Sequence, residues 1–293
     1  MLVLFVQVED AEISTMGSYV ERAPLPELAG VVRTVWIQHT GSDAYVQRHL
    51  PTGGVEIHFP IGDRPRLLGP LTGPQLEVIP AHTIGVGVRF RPGTPPLLPT
   101  TELDDLVDQG VGLDELWGSR VDRLVEATAR AETPEQALMI VQAYLLHEFR
   151  AADHLDRLVG EAVQVLMPWH PVDVGTVANH LALSASQLRR RCLRAVGVSP
   201  KVLQRTLRFQ GFLALVQAGA TPTGRRGADG MAGLAVDAGY ADQAHLSREC
   251  LRLTGLTPRQ LLGGAVEQCA CGHEHSASYR PFLATRGRPP LRI

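Results

Sequence analysis

Two kinds of hydrophobic pattern divide the chain. From Tyr19 to about Pro99 the apolar residues fall in short β-branched and aromatic runs, VVRTVWI (Val31–Ile37), GVEIHF (Gly54–Phe59) and GVGVRF (Gly85–Phe90). Pro51-Thr52-Gly53-Gly54, Gly69-Pro70, Gly73-Pro74 and Arg91-Pro92-Gly93 punctuate them, as turns between strands do. The pattern predicts a small, mostly antiparallel β domain. From about Leu113 the apolar spacing changes to three and four residues, the period of a helix. Val121, Leu124, Val125 and Thr128 mark one helix. A second opens at Thr133-Pro134-Glu135, an N-cap followed by proline in the first turn, and continues through Leu138, Val141, Tyr144 and Leu145. A third is expected to open at Asp153, to carry Leu155, Leu158, Val159, Ala162, Val163 and Leu166 on one stripe, and to stop before Pro168. Thr221–Gly230, with its proline and glycines, reads as a loop. Beyond Gly264 the helical pattern fades and the tail reads as irregular.

Within the helical part the chain repeats itself. LRRRCLRAVGVSPKVL (Leu188–Leu203) and LSRECLRLTGLTPRQL (Leu246–Leu261) match without gaps at eight of sixteen positions, at an offset of 58. Each copy follows a short helical segment and a tight turn: Val174–Leu181 with Ala182-Leu183-Ser184, then Met231–Ala238 with Gly239-Tyr240-Ala241-Asp242. Helix, short turn, helix is the layout in which the second helix enters the DNA major groove. Ser184 and Asp242 are the expected N-caps of the second helices, and Gly197 and Gly255 their ends. Leu188, Cys192 and Leu193 in the first copy, and Leu246, Cys250 and Leu251 in the second, are the expected core positions. Ser186, Arg189 and Arg190, and Gln243, Ala244, Ser247 and Arg248, then form the outward sets, with His245 beside them. Arginine can bond guanine through two hydrogen bonds and glutamine can do the same to adenine. Arg191, Arg194 and Arg252 suit phosphate or solvent. A long helix from Pro200 to about Ala218, with Leu203, Leu207, Phe212 and Leu215 inside, is expected to join the two units.

The overall charge of −2 argues against nucleic acid until it is divided. Residues 1–154 hold 11 basic and 21 acidic side chains, residues 155–262 hold 13 and 7, and residues 263–293 hold 4 and 2, giving −10, +6 and +2. The near-neutral total is an acidic half joined to a basic one, and the repeat lies in the basic half. At 44% hydrophobic and 20% charged the chain is an ordinary folded one. No apolar run reaches membrane-spanning length, and Met1–Val8 lacks the basic leader and cleavage site of a signal peptide. Four cysteines make no disulfide framework, and a cytoplasmic protein is the simplest reading.

Three segments carry a resemblance: VANHLALSASQLRRRCLRAVGVSP, the linker LRFQ, and GYADQAHLSRECLRLTGLTPRQLL. Over about residues 155–262 the sequence resembles the C-terminal domain of AraC-type transcriptional regulators. The resemblance implies two helix-turn-helix units joined by one long helix, binding double-stranded DNA. It departs from the family in having Cys192 and Cys250 where aromatic residues are usual, and in its longer, glycine-rich Thr221–Gly230 loop. Further upstream, LPTGGVEIHF (Leu50–Phe59), LLGPLTGP (Leu67–Pro74), GVGVRFRPG (Gly85–Gly93) and GLDELWG (Gly112–Gly118) make Pro24–Gly118 similar to an uncharacterised N-terminal domain of some bacterial AraC-type regulators. That implies an effector or dimerisation domain, so an unknown small-molecule effector, a second copy of the chain and RNA polymerase join DNA as expected partners. Met1–Thr15 lies outside the resemblance, which leaves Met1 and Met16 both open as starts.

The expected architecture is therefore α+β: a small β-rich sensor domain (19–118), a helical connector (119–152), an all-α double helix-turn-helix domain (153–262) and an irregular tail (263–293). In the sensor domain, alternation places Arg89 and Arg91 on one face of a strand end. Either they clamp an anionic effector or they pair with acidic residues of the same domain. His39, His49, His58 and His82 are scattered among strands without a clustered metal motif, so no metal site is expected there. No Ser/His/Asp or paired-carboxylate arrangement stands out, and the chain reads as a regulator, not an enzyme; an enzyme in the N-terminal domain is an alternative. The tail offers another: Cys269, Cys271, His273 and His275 alternate in a run of soft-metal ligands that suits zinc or copper, in a spacing closer to a flexible chelator than to a closed zinc finger. Such a site would make the protein metal- or redox-responsive. Otherwise no cofactor is expected.

Overall fold

The computed structural model describes residues 16–96, 98, 101–151, 155–170, 172–218, 230–267 and 276–286. Among the described residues the N-terminal part holds eight strands: β1 (Met16–Arg22), β2 (Val32–Thr40), β3 (Tyr45–His49), β4 (Glu56–Pro60), β5 (Arg66–Leu68), β6 (Gln75–Ile79), β7 (Ile84–Phe90) and β8 (Gly110–Gly112). Six form one antiparallel sheet in the order β1-β2-β7-β4-β5-β8, and β3 pairs with β6 in a separate antiparallel ribbon. Helices α1 (Leu113–Trp117), α2 (Arg120–Ala129) and α3 (Pro134–Ala151) follow. Thr133 caps α3 by accepting a hydrogen bond from the Gln136 N–H at 3.2 Å.

The large sheet is covered on both faces, which explains why its central strand reads as a continuous apolar run. Val35 and Ile37 of β2, with Val86, Val88 and Phe90 of β7, pack with Leu124, Leu138, Val141 and Leu145 of the helices. The connector helices thus complete the β domain's core. Trp36 turns to the other face and packs with Tyr19 and with Tyr45 of the ribbon. It lies so close over Gly87 that a Cβ there would sit 2.0 Å from its ring, so only glycine fits.

The C-terminal part is helical: α4 (Arg157–Val165), α5 (Val174–His180), α6 (Ala185–Val196), α7 (Pro200–Gln217), α8 (Gly230–Asp237), α9 (Gln243–Thr254), α10 (Pro258–Glu267) and α11 (Ser276–Leu283). The expected strands, helices and long joining helix are all present, with three corrections. The helix expected from Asp153 begins at Arg157, because Asp156 is its cap and accepts from the Leu158 and Val159 N–H groups. Leu251 is 55% exposed instead of buried, and Leu193 is only partly buried. Five residues on from Leu246, the α9 backbone has turned about 140° away from the core face, and Leu253 takes the inner position. The tail is not wholly irregular, since α11 folds within it. Tyr279 and Phe282, three apart, bury one face of that helix, while Pro281 inside it masks the pattern in the sequence.

Helix α11 ties the two parts together. It packs on α7 and against β1 and β2. Ser278, fully buried, donates its backbone N–H to Glu21 at 3.2 Å, and its hydroxyl receives a short hydrogen bond from Arg89. Arg89 also pairs with Glu21 (3.0 Å) and, through two nitrogens, with Glu56 (2.7 and 3.3 Å). Beside it the buried Arg33 donates to the Ser278 carbonyl (2.7 Å) and to Gln210 of α7 (2.8 Å), with its guanidinium 4.6 Å from the centre of the Phe282 ring. Gln210 in turn donates to the Pro51 carbonyl at 2.8 Å, and Leu50 enters the helical core. Gly53 takes the left-handed φ of +84° that turns the loop after β3 against Leu203 and Leu207 of α7.

Removing a partner from a buried ion pair strands the others in low dielectric. Arg89→Met is expected to destabilise the fold by about 3–5 kcal/mol. Arg130→Ala, which breaks an exposed pair with Glu126, is expected to cost about 0–1 kcal/mol. Urea unfolding followed by circular dichroism separates the two.

Candidate functional site

Both copies of the repeat fold as helix, turn, helix. The first is α5–α6 and the second α8–α9, and α6 and α9 have equal lengths of 12 residues. Ser184 accepts from the Gln187 N–H at 3.2 Å while Gln187 reaches back to the Ser184 N–H at 2.8 Å, a closed capping box. Asp242 accepts from the His245 N–H at 2.6 Å. Gly197 (φ +81°) and Gly255 (φ +74°) end the helices in the left-handed conformation. Leu188 and Cys192, and Leu246 and Cys250, anchor the inner faces. Burial pushes both thiols up to about 12, so they stay protonated and act as packing residues.

The outward faces are left to solvent. Ser186, Arg189 and Arg190 are exposed on α6; Gln243, Ala244 and Arg248 are exposed on α9. Among the described residues, no side-chain hydrogen bond or ion pair engages Arg189, Arg190, Gln243 or Arg248. His245 and Ser247 are differently placed. The His245 ring stands edge-on to Tyr240 at 5.2 Å, and the Ser247 hydroxyl donates to the Gln243 carbonyl at 2.9 Å. Arg191 pairs with Asp156 at 2.6 Å. The N-terminal part touches the far ends of both helices. Gly197 lies against Pro70 and Leu103, and Arg48 donates to the Thr254 carbonyl at 3.0 Å.

A second site lies in the β domain. Between the large sheet and the ribbon is a cavity of about 600 Å³, walled by Trp36, Gln38, His58, Arg66, Glu77 and Ile79 among others. A smaller one of about 280 Å³ adjoins it and shares His58, Arg66 and Glu77. The expectation of scattered histidines is corrected here. His49 of β3 and His58 of β4 come together with Glu77 of β6 because the two sheets face each other. His39 and His82 do not join them. Gln38, Gln47, His49 and Glu56 are polar yet buried around this cluster, but their burial follows from the facing of the two sheets and is not visible in the sequence.

Arg89 and Arg91 do not form an anion clamp. Arg89 is held by Glu21 and Glu56, the pairing alternative, and Arg91 lies past the end of β7 and donates to the Ala29 carbonyl at 2.8 Å. Cys269, Cys271, His273 and His275 lie outside the described residues, as does most of the Thr221–Gly230 loop.

Comparison with known protein families agrees with the helix-turn-helix geometry. Residues 177–263 match the model of a helix-turn-helix domain, and residues 20–112 match a domain of unknown function (DUF6597). No curated protein matches the sequence. Among solved structures, ToxT from Vibrio cholerae is similar at 13% identity and a TM-score of 0.40, over 85% of this chain and 97% of that one. An unsaturated fatty acid-bound ToxT gives 12% identity and a TM-score of 0.42, over 86% and 97%. Two capped helices in tandem, each behind a tight turn, define a DNA-binding unit. Residues 177–263 are a helix-turn-helix domain of the AraC type, the kind of unit that binds DNA in transcription regulators, and they follow a DUF6597 domain at residues 20–112. Among the described residues no helix is long and apolar enough to cross a membrane.

The acidic partners of Arg89 give the fold a pH signature. Burial pushes the Glu56 carboxyl up, but the Arg89 charge outweighs it and holds the group well below its ordinary value of 4.5. The stability this lends is complete above that value and is lost as pH falls below it. In Arg89→Met the largest opposing charge is gone and only His58 still counters the burial, so the folded-state pKa rises and acid then favours the fold relative to neutral pH. The deficit of Arg89→Met against the parent in urea midpoint is expected to shrink between pH 7 and pH 5; a deficit independent of pH would contradict this electrostatic account.

Proposed function

We propose that the protein is an effector-responsive, sequence-specific transcription regulator. Helices α6 and α9 enter successive major-groove segments about one helical turn apart, and the cavity between sheet and ribbon receives a small-molecule effector. The observation that carries the reading is the pair of equally long, similarly capped helices whose outward arginines and glutamine are exposed and uncommitted. Arg189 and Arg190 on α6, with Gln243 and Arg248 on α9, are the residues for base contact. Ser186 and Ala244 are their neighbours on the same faces. His245 and Ser247 support α9 from its flank. Phosphate contacts from the rest of the basic half supply salt-dependent affinity.

The effector reading rests on the mixed polar and apolar lining of the cavity and on what lies behind it. His58 on its wall has Nε2 3.6 Å from Glu56, Glu56 binds Arg89, and Arg89 binds Ser278 of the helix that packs on α7. A ligand that moves His58 therefore perturbs the contact between the two parts, and its differential affinity for two arrangements sets how far DNA binding shifts. No catalytic step belongs to this reading.

The test uses an operator selected from random duplexes by the full chain. Arg189→Ala and Arg248→Ala are each expected to weaken operator binding by about 1–3 kcal/mol relative to a scrambled duplex. Anisotropy titrations at fixed salt measure both. Equal weakening on operator and scrambled DNA would reassign these arginines to the phosphate backbone.

A further inference from the structure

We propose that His49, His58 and Glu77 bind one divalent transition-metal ion, of the Zn²⁺, Co²⁺ or Ni²⁺ class, where the two cavities of the β domain meet. One donor atom from each residue lies within 4.8 Å of the others. The three come from β3, β4 and β6, so the ion would staple the ribbon to the large sheet. Two imidazoles and one carboxylate suit borderline transition ions, whereas calcium and magnesium prefer all-oxygen sets.

The distances are those of a site that closes by side-chain rotation. His49 Nε2 is 2.8 Å from Glu77 Oε2, and His58 Nδ1 is 3.9 Å from the same oxygen. Tetrahedral ligation at zinc bond lengths separates the donors by about 3.4 Å. The first contact must open, and the second must close, by about half an ångström. Arg66 binds the other carboxylate oxygen, Oε1, at 3.2 Å, which leaves Oε2 for the ion.

The surroundings supply an outer partner for His58. His58 Nε2 is buried without a hydrogen-bond partner and sits 3.6 Å from Glu56 Oε2. When Nδ1 ligates, the ring proton resides on Nε2 and faces that carboxylate. This is the outer carboxylate that orients a ligating histidine and raises its basicity. His49 is almost wholly buried while Glu77 is partly exposed, so the ion enters from the cavity side. Three protein ligands leave a position open toward the cavity for water or for an oxygen donor of a bound small molecule. The proposal is independent of DNA recognition.

The experiment removes the competing tail first, using the full chain with Cys269→Ser, Cys271→Ser, His273→Asn and His275→Asn. Co²⁺ titration with visible absorption is expected to show one equivalent bound, with ligand-field bands and no thiolate charge-transfer band. His58→Gln and Glu77→Gln in that background are each expected to weaken binding by about tenfold or more, as is Glu56→Gln through the outer shell. Circular dichroism of the metal-free proteins checks folding, and the more exposed Glu77→Gln serves if His58→Gln does not fold. No Co²⁺ bound by the tail-substituted chain, or binding undiminished in Glu77→Gln, overturns the proposal and leaves His49 and Glu77 as a plain hydrogen-bonded pair.

Discussion

Arg89 is the constraint on which the rest of the structure depends. It is fully buried, and a guanidinium in that position is tolerable only when carboxylates and hydrogen bonds surround it. Glu21 on β1, Glu56 on β4 and Ser278 on α11 meet that need from three distant parts of the chain. The sheet must therefore close in its observed order and α11 must dock before the charge is satisfied. Arg33, one strand away, repeats the logic with the Ser278 carbonyl and Gln210 of α7. Burial and the nearby Arg89 charge lower it to about 10. These polar contacts, rather than an apolar seam alone, fix how the β domain sits on the helical one.

That placement matters because α7 is also the spine of the DNA-binding unit. Leu203, Leu207, Phe209 and Phe212 along it belong to the core that includes Leu188 and Cys192 of α6 and Leu246 and Cys250 of α9. The second helices of the two helix-turn-helix units thus hang from one rigid element whose other side touches Pro51 and α11. The turns before them solve the same geometric problem at different cost. Gly239 takes φ +80° freely, while Ala182 holds φ +53° against a steric penalty of about 1–2 kcal/mol.

The helical half was largely legible in the sequence because its signals are local. Caps such as Ser184 and Asp242, the end glycines, the prolines at 200 and 258 and the gapless repeat each act within a few residues. Where reasoning from spacing failed, the cause was angular or non-local. Leu251 looked internal because its repeat partner did, yet five residues of helix carry it off the buried face. The fate of Arg89 could be posed as clamp or ion pair, but Ser278, 189 residues away, was invisible as its partner. The cluster of His49, His58 and Glu77 depends on two sheets facing each other, and strand alternation does not encode which sheets face. Helix α11 was hidden by Pro281 and by the shortness of its apolar face.

The central claim is that two helices of one chain read two adjacent stretches of duplex. Hydroxyl-radical footprinting of the full chain on a selected operator tests it most directly. The account predicts two protected segments on one face of the duplex, about one helical turn apart. A single protected segment would mean that only one of α6 and α9 reads the groove. Protection spread evenly along any duplex would mean that neither does.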